Sequence, residues 1–487
     1  MNEKLLVLPV LIPLISGIIT GFVPSRSKKA RNIFVFLSVF LNSLMILALL
    51  IAPPADALIL LRFTDAYSIS LKADGAGSVF LALIAFLWLP TTLYSFEYME
   101  HEDHLPRFYG FYLMCYGATA GAALSANLLT TYLFYLLLTG VTFPLIAHKR
   151  DQVSSAAANK YLVYSFAGAI IALAGMIMLF SRIGCSEYVY GGTAGASAEG
   201  FFLPAAYLMT FIGFGVSAAV FPLHAWLPAA CVAPAPADAL LDSVALMNAG
   251  VFACIRCTFY AFGIAALAGT LAQKVTTAIA ILTILFGSVM ALREQHLERR
   301  LTYSTISNMS YILFGTSLMT SSGLTAGFSH MVFHGVIKLT LFSCAGTVLH
   351  KTGREFAPET TGLGRRMPLT FLTFFLAALA LTGTPPLPGF ISKMNLLLAA
   401  SEADSPWATA GIVALLLSAL LTAAYLLPLC VRAFLVSKED EPAFTENDSD
   451  PGPLMLISFA RLSLVILLLC VFAVPVMALL ESTVCGY

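Results

Sequence analysis

Runs of about 20 apolar residues, the length a helix needs to cross a bilayer, follow one another almost without gaps along this chain. The pattern predicts fourteen spans, at 5–23, 31–52, 75–96, 108–125, 127–147, 160–181, 201–222, 239–262, 274–292, 302–321, 324–350, 368–400, 407–436 and 455–479. In hydrocarbon every backbone polar group must be satisfied within the protein, so such runs are read as helices. The expected fold is an all-α polytopic membrane protein, with residues 1–487 forming a single membrane domain. The first run, Leu5 to Val23, is too long in its apolar core for a signal peptide and lacks a cleavage-like end, so it is expected to be the first span.

Two spans carry internal breakers. One is FPLHAWLPAACVAPAP, with Pro222, Pro228, Pro234 and Pro236; the other is GTPPLPGFISK, with Gly383, Pro385, Pro386, Pro388 and Gly389. Unwound backbone at membrane depth is tolerated only where protein buries it or a polar cavity meets it, and a pair of interrupted segments in two halves of a transporter points to an ion path. Spans 4–8 (residues 108–262) and 9–13 (residues 274–436) then form two five-helix repeats, each with one broken member. The alternative is a proline-rich loop between two ordinary helices.

Composition sharpens this reading. The chain is 59% hydrophobic and 11% charged, against about 45–50% and about 25% for soluble domains. Twenty-six basic residues balance 26 acidic ones, and the nine cysteines are scattered, mostly within apolar runs. Disorder, nucleic-acid binding and a secreted disulfide scaffold are excluded as main readings. Of the 26 lysines and arginines, seventeen, including Arg26 and Lys438, fall in loops on one side and five on the other. The positive-inside rule then places both termini away from the cytoplasm, in a cell inner membrane. The remaining four, Arg256, Lys338, Lys393 and Arg461, fall inside spans.

Those buried charges carry the candidate chemistry. His330, His334 and Lys338 are spaced i, i+4, i+8 in HMVFHGVIK and share one helix face. An intramembrane lysine is costly unless hydrated or paired, and a histidine titrating near neutrality can pass it a proton. His330 is either a connecting group or a structural histidine bonded to a carbonyl. Lys393 follows the second break, where unwound carbonyls can solvate it; its alternative is a residue snorkelling from a helix end. Asp238 and Asp242, also i, i+4, either hold a proton or sodium ion or pair structurally, with Arg256, with partner-subunit cations or with backbone donors. His224 is expected to be structural, and Cys254 and Cys257 are expected to be packing rather than a metal site. Glu97, Glu100, Glu102 and Asp103, with His101 and His104, form either a solvated surface or a proton antenna or docking face. The stretch from Glu439 to Asp450 is expected to be a solvated connector.

The strings PLHAWLPAA followed by APAPADALL, HLERRLTYSTISNMSY, HMVFHGVIKLTLFSCAG and GTPPLPGFISK, in this order, resemble the antiporter-like subunit family. That family is shared by respiratory complex I, the Mrp cation/proton antiporters and the energy-converting membrane-bound hydrogenases. The likeness runs from LPVLIPLISG to the end of span 12, and the GFISK wording is more similar to Mrp D-type and hydrogenase-type subunits. The resemblance implies fourteen helices, two inverted five-helix repeats, broken helices 7 and 12, and a midplane row of ionisable residues that moves protons or exchanges them for sodium. It implies no redox cofactor and no redox or hydrolytic site in this chain. The implied partners are other membrane subunits, among them further antiporter-like ones, and a peripheral redox arm. In TTYLFYLLLTG the family's buried glutamate should stand where this sequence has Leu136, and in GFGVSAAVFPLHAWLP its lysine should stand at Ser217. Both members of that ion pair are absent together, as expected if losing one alone strands a buried charge at about 3–5 kcal/mol. The expected function is an ion-translocating subunit with a degenerate first half-channel; the alternative is a non-translocating scaffold of the same kind of complex.

Overall fold

The computed structural model describes residues 2–23, 27–64, 67–193, 202–435, 444 and 448–484. Arg26, Lys438 and most of the connector 439–450 lie outside the described residues. The chain is almost wholly helical, and the length and apolarity of its helices make it a multi-pass membrane protein. Among the described residues, ten helices are long and apolar enough to cross a membrane. The other four expected spans, 108–125, 201–222, 302–321 and 368–400, are helical but shorter, more polar or broken. Leu297–Ser317, for example, is rich in buried serine, threonine and asparagine because it faces protein rather than lipid.

Local sequence sets where helices begin. Ser27, Asp74, Asn127, Asp151, Thr320 and Ser405 each stand just before a helix and accept a backbone N–H from its first turn. One departure from the all-α expectation is an antiparallel hairpin, Leu58–Thr64 against Tyr67–Leu71, with Leu58 opposite Leu71 and Arg62 opposite Ser68. It occupies the connector between the second and third spans, where a seven-residue strand is too short to register as a span.

Helices on the outside present leucine, isoleucine and phenylalanine outward, as at Ile15, Ile18, Leu44, Leu372, Leu420 and Leu467. In water such a surface would drive association; in a bilayer it is the lipid contact. Ala235–Phe262 and most of Ser321–Thr352 are enclosed instead. Ser321–Thr352 is the central post, packed on Ala235–Ser243, Leu297–Ser317, Pro368–Thr382, Pro388–Glu402 and Gly75–Tyr98.

Both expected interruptions are present. Phe202–Gly215 ends in an unwound stretch, 216–226, before the turn Leu227–Ala230. Pro368–Thr382 and Pro388–Glu402 are separated by an unwound 383–387. Gly383 closes the first of these two helices at φ +93°, a conformation that glycine adopts without a Cβ penalty. A further break, at Val244–Ala245, divides Ala235–Ser243 from Leu246–Ile255, and Asn248 Nδ2 donates across it to the Ser243 carbonyl at 2.7 Å.

Arg256 does not meet Asp238 or Asp242. It sits in a π-helical turn, fully buried, and donates to both carboxylate oxygens of Asp74 at 2.6 and 2.5 Å. The rings of Tyr188, Phe252 and Tyr260 enclose the guanidinium at 4.9, 4.8 and 4.8 Å. A planar fork matched to a carboxylate and flanked by aromatic faces is the arrangement that makes a buried arginine tolerable. Asp74→Asn keeps a side chain able to cap Gly75–Tyr98 yet removes the counter-charge. It is expected to cost about 3–5 kcal/mol, read as a lowered unfolding midpoint in detergent. Adding Arg256→Met to it should recover part of that loss.

Candidate functional site

The elements that cross the interior bring the six predicted ionisable residues into one buried row. Lys338, in the middle of Ser321–Thr352, is completely enclosed. Its Nζ donates to the Leu301 carbonyl at 2.6 Å and to the Ser304 hydroxyl, and lies 5.4 Å from the centre of the Phe342 ring. The carboxylate acting on it most strongly is Asp242, from the facing helix Ala235–Ser243. Asp238 lies one turn away and is also buried. One oxygen of each aspartate, Oδ2, has no hydrogen-bond partner among the described residues. An ionised carboxylate in such a place depends on a nearby cation or on a bound proton for its stability.

From Lys338 the row continues along its own helix. His334 is buried one turn back, with neither ring nitrogen hydrogen-bonded among the described residues. Its ring lies 5.6 Å from that of His330, which stacks on Tyr311 at 5.2 Å. His330 Nδ1 meets the Ser392 hydroxyl at 3.0 Å, while its Nε2 is unpartnered among the described residues. Ser392 adjoins Lys393, so this contact ties the central post to the second broken helix. Lys393 Nζ donates to the Leu381 and Thr382 carbonyls at 2.6 and 3.1 Å, at the end of Pro368–Thr382. Helix ends leave their last carbonyls without intrahelical donors, and this lysine uses two of them. The Tyr311 ring lies 5.5 Å from its Nζ, beneath both Lys393 and His330.

Gly383 takes part in holding this end. A Cβ built on it would lie 3.2 Å from Lys393 Cδ, and its φ of +93° disfavours any L side chain. Gly383→Ala is expected to destabilise the break by about 1–3 kcal/mol and to displace the Lys393 stem. Its check is the thermal stability of the purified protein together with transport, both of which should fall.

Sequence reasoning missed Glu298. It lies in the first turn of Leu297–Ser317, 5% exposed, and acts electrostatically on Asp238. It therefore extends the acidic end of the row to three carboxyl groups. The signal was a lone acidic residue opening a helix within HLERRLTYS, and it can be recognised only once Asp238 is known to face it. Tyr311, Ser304 and Ser392 were equally silent, because nothing in a hydroxyl's sequence position says which lysine or imidazole it meets.

The remaining candidates lie apart from the row. His224, in the unwound 216–226 stretch, is half-buried between the Phe221 and Phe286 rings at 5.7 and 4.4 Å. Cys254 and Cys257 are buried, with Cys254 Sγ 3.5 Å from the Phe211 carbonyl. Among the described residues, no group of three or more histidine, cysteine or acidic side chains is placed to hold a metal. Glu97 accepts the backbone N–H groups of Gly452 and Met455, capping Pro453–Val471. His148, in the loop beyond Leu128–Ile146, is pushed down to about 4 by burial and by the nearby Arg107. It is therefore neutral near pH 7, and its Nε2 lies 3.1 Å from the Asp103 carbonyl.

In the first half of the chain, Leu136 is half-buried against the core and Ser217 lies buried in the unwound stretch. Ser217 Oγ and the hydroxyl of Tyr135, one residue before Leu136, lie toward each other without a close hydrogen bond to any other group among the described residues. The histidine–lysine row has no charged counterpart at these two positions.

Residues 125–422 match the membrane-domain family described as NADH:quinone oxidoreductase/Mrp antiporter, and residues 64–109 match NADH-ubiquinone oxidoreductase (complex I), chain 5 N-terminus. The A/B subunit of a probable K(+)/H(+) antiporter from Rhizobium meliloti is 31% identical over 80% of this chain and 39% of its own length. The A1 subunit of a Na(+)/H(+) antiporter from Staphylococcus aureus is 30% identical over 67% of this chain and 42% of its own. The chain thus spans about two-fifths of the curated relatives it matches, which are an A/B and an A1 subunit. Among solved structures, an archaeal membrane-bound sulfane sulfur reductase has a chain of the same fold, with TM-score 0.86, 22% identity and coverage of 99% of this chain and 98% of that one. The Mrp complex of Dietzia has another, with TM-score 0.84, 20% identity and coverage of 99% and 96%. Respiratory complex I of Thermus thermophilus has a third, with TM-score 0.83, 23% identity and coverage of 99% and 98%.

Proposed function

This chain belongs to the NADH:quinone oxidoreductase/Mrp antiporter membrane family, and we propose that it is an ion-translocating subunit carrying protons or sodium ions along the buried row. The row's continuity supports this reading most. Asp242, Lys338, His334, His330 and Lys393 follow one another through the enclosed interior, with both His334 nitrogens left open among the described residues. Hydrogen-bonded imidazoles fixed by carbonyls would suit structure alone; open ones next to lysines suit proton exchange. Asp238 and Glu298 form the uptake end, and Lys393 the release end. Lys149, in the loop beyond Leu128–Ile146, acts electrostatically on Glu298, which supports an uptake end toward the lysine- and arginine-rich side.

Fourteen spans in two inverted five-helix repeats, 108–262 and 274–436, fit this assignment, since each repeat contains one of the unwound stretches. With Leu136 and Ser217 in the first repeat, the ion path runs through the second repeat and takes only Asp238 and Asp242 from the end of the first, whose own half-channel is degenerate. Both termini then face away from the cytoplasm of an inner membrane. A proton crossing about 100 mV gains or loses about 2.3 kcal/mol, so directed transport requires a coupled drive. The drive comes from a multi-subunit complex, either a redox arm or an Mrp-type assembly with other antiporter-like subunits.

A scaffold role is the second reading, favoured by the uncharged Leu136 and Ser217. His334→Ala separates the two. No partner holds its imidazole among the described residues, so assembly should be kept. Ion flux in proteoliposomes of the intact complex should fall by about tenfold or more; a scaffold would show wild-type flux.

A further inference from the structure

A cavity of about 810 Å³ opens where five helix ends converge, at Lys28–Ile51, Gly75–Tyr98, Leu105–Ala123, Ser321–Thr352 and Pro453–Val471. Its rim is basic: Lys28, Lys29, Arg31 and Lys351, with His101 and His350. Its inner wall is apolar, formed in part by Ile33, Phe36, Leu37 and Leu93. Two acidic residues line it. The carboxylate of Glu97 is taken up by the N–H groups of Gly452 and Met455, and Glu100 receives Lys28 Nζ on its backbone carbonyl at 3.0 Å. Among the described residues, none of the four lysines and arginines of this cavity forms an ion pair. Arg31 is 7% exposed; it donates to Asn32 Oδ1 at 3.2 Å and lies over the Tyr109 ring, and its Nε is left without a partner among the described residues.

A buried guanidinium with an unused donor, beside three further cations and above an apolar wall, asks for an anion attached to hydrocarbon. Ile33 and Leu37 are themselves about half exposed, so the wall continues into the surface that faces lipid. We propose that this cavity binds an anionic glycerophospholipid of the bilayer. Its phosphate sits among Arg31, Lys28 and Lys351, and an acyl chain lies along Ile33 and Leu37. Basic pockets between spans at the cytoplasmic edge suit such headgroups, each lysine or arginine adding attraction for the anionic surface. The site is independent of the ion row and survives if that row proves silent.

Native mass spectrometry of the intact, delipidated complex provides the test. It is titrated with phosphatidylglycerol, with phosphatidylcholine of the same chains and with soluble glycerol phosphate. Phosphatidylglycerol should bind about tenfold tighter than phosphatidylcholine, and glycerol phosphate should not compete. Lys28→Gln with Lys351→Gln at the rim should weaken it about tenfold, as should Arg31→Gln. Lys274→Gln, at the far end by the same loop count, should change nothing. Equal binding of the two lipids, or unchanged binding in the rim variant, overturns the proposal. Capture of free glycerol phosphate assigns the cavity to a soluble phosphate compound, and exclusion of all lipid from the assembled complex assigns it to a neighbouring protein; either contradicts a lipid site.

Discussion

Replacing Lys338 by alanine is expected to stop ion translocation by the reconstituted complex, with flux falling by about a hundredfold or more, the scale on which a positioned proton-transfer group contributes. The ammonium is fully enclosed, held by the Leu301 carbonyl and the Ser304 hydroxyl, and it is the charge that faces Asp242. Removing it breaks the row between the carboxylates and His334. It also takes away the positive charge acting on Asp242, whose Oδ2 already lacks a hydrogen bond among the described residues, and so weakens the fold. Loss of transport and loss of folding would then be confounded. Asp242→Asn introduced with Lys338→Met removes both charges and keeps similar volume, so the double variant should assemble close to wild type. Removing opposite buried charges together, with groups of similar size in their place, leaves neither one uncompensated. Transport should not return with assembly.

Lys393→Ala is the second large effect. Here no acidic partner is stranded among the described residues, because the ammonium rests on the carbonyls of Leu381 and Thr382 at the end of a helix. Water or a neighbouring donor can replace it at a modest cost of about 1–3 kcal/mol for the freed carbonyls. The complex should therefore assemble, yet flux should fall on the same scale as for Lys338, since His330 would have no group beyond Ser392 to which to pass a proton. Lys393→Arg retains the charge but not the ability to lose a proton. It should be as inactive as the alanine variant. An arginine variant with normal flux would show that charge alone matters at this position and would remove the release role.

Much of the fold was legible because the bilayer imposes a simple rule on it. Apolar runs such as Lys28–Ile51 and Pro406–Phe434 read directly as spans, and the caps Asp74, Asn127 and Ser405 mark where helices start. Leu297–Ser317 is less apolar for the reason that matters to function: its serines and threonines face the interior, where Lys338 needs them. The i, i+4, i+8 spacing of His330, His334 and Lys338 placed three groups on one face without any structure. What could not be read was pairing between distant segments. Asp74 and Arg256 are separated by 182 residues, and sequence left Arg256 as an available partner for the aspartates. Only packing shows that Asp242 turns instead toward Lys338, and that Glu298 completes its acidic neighbourhood. The hairpin at Leu58–Thr64 escaped for a different cause, being too short to rise above a connector in a chain dominated by helices.

The central claim is that this chain conducts ions along the buried row from Asp242 through Lys338 to Lys393. Its most direct test is ion flux, measured with pH- and sodium-sensitive dyes, in proteoliposomes holding the intact complex with Asp242→Asn and Lys338→Met together. A fully assembled complex whose flux has dropped to background is the predicted result. Wild-type flux from that same charge-free pair would contradict the account and leave this chain a scaffold.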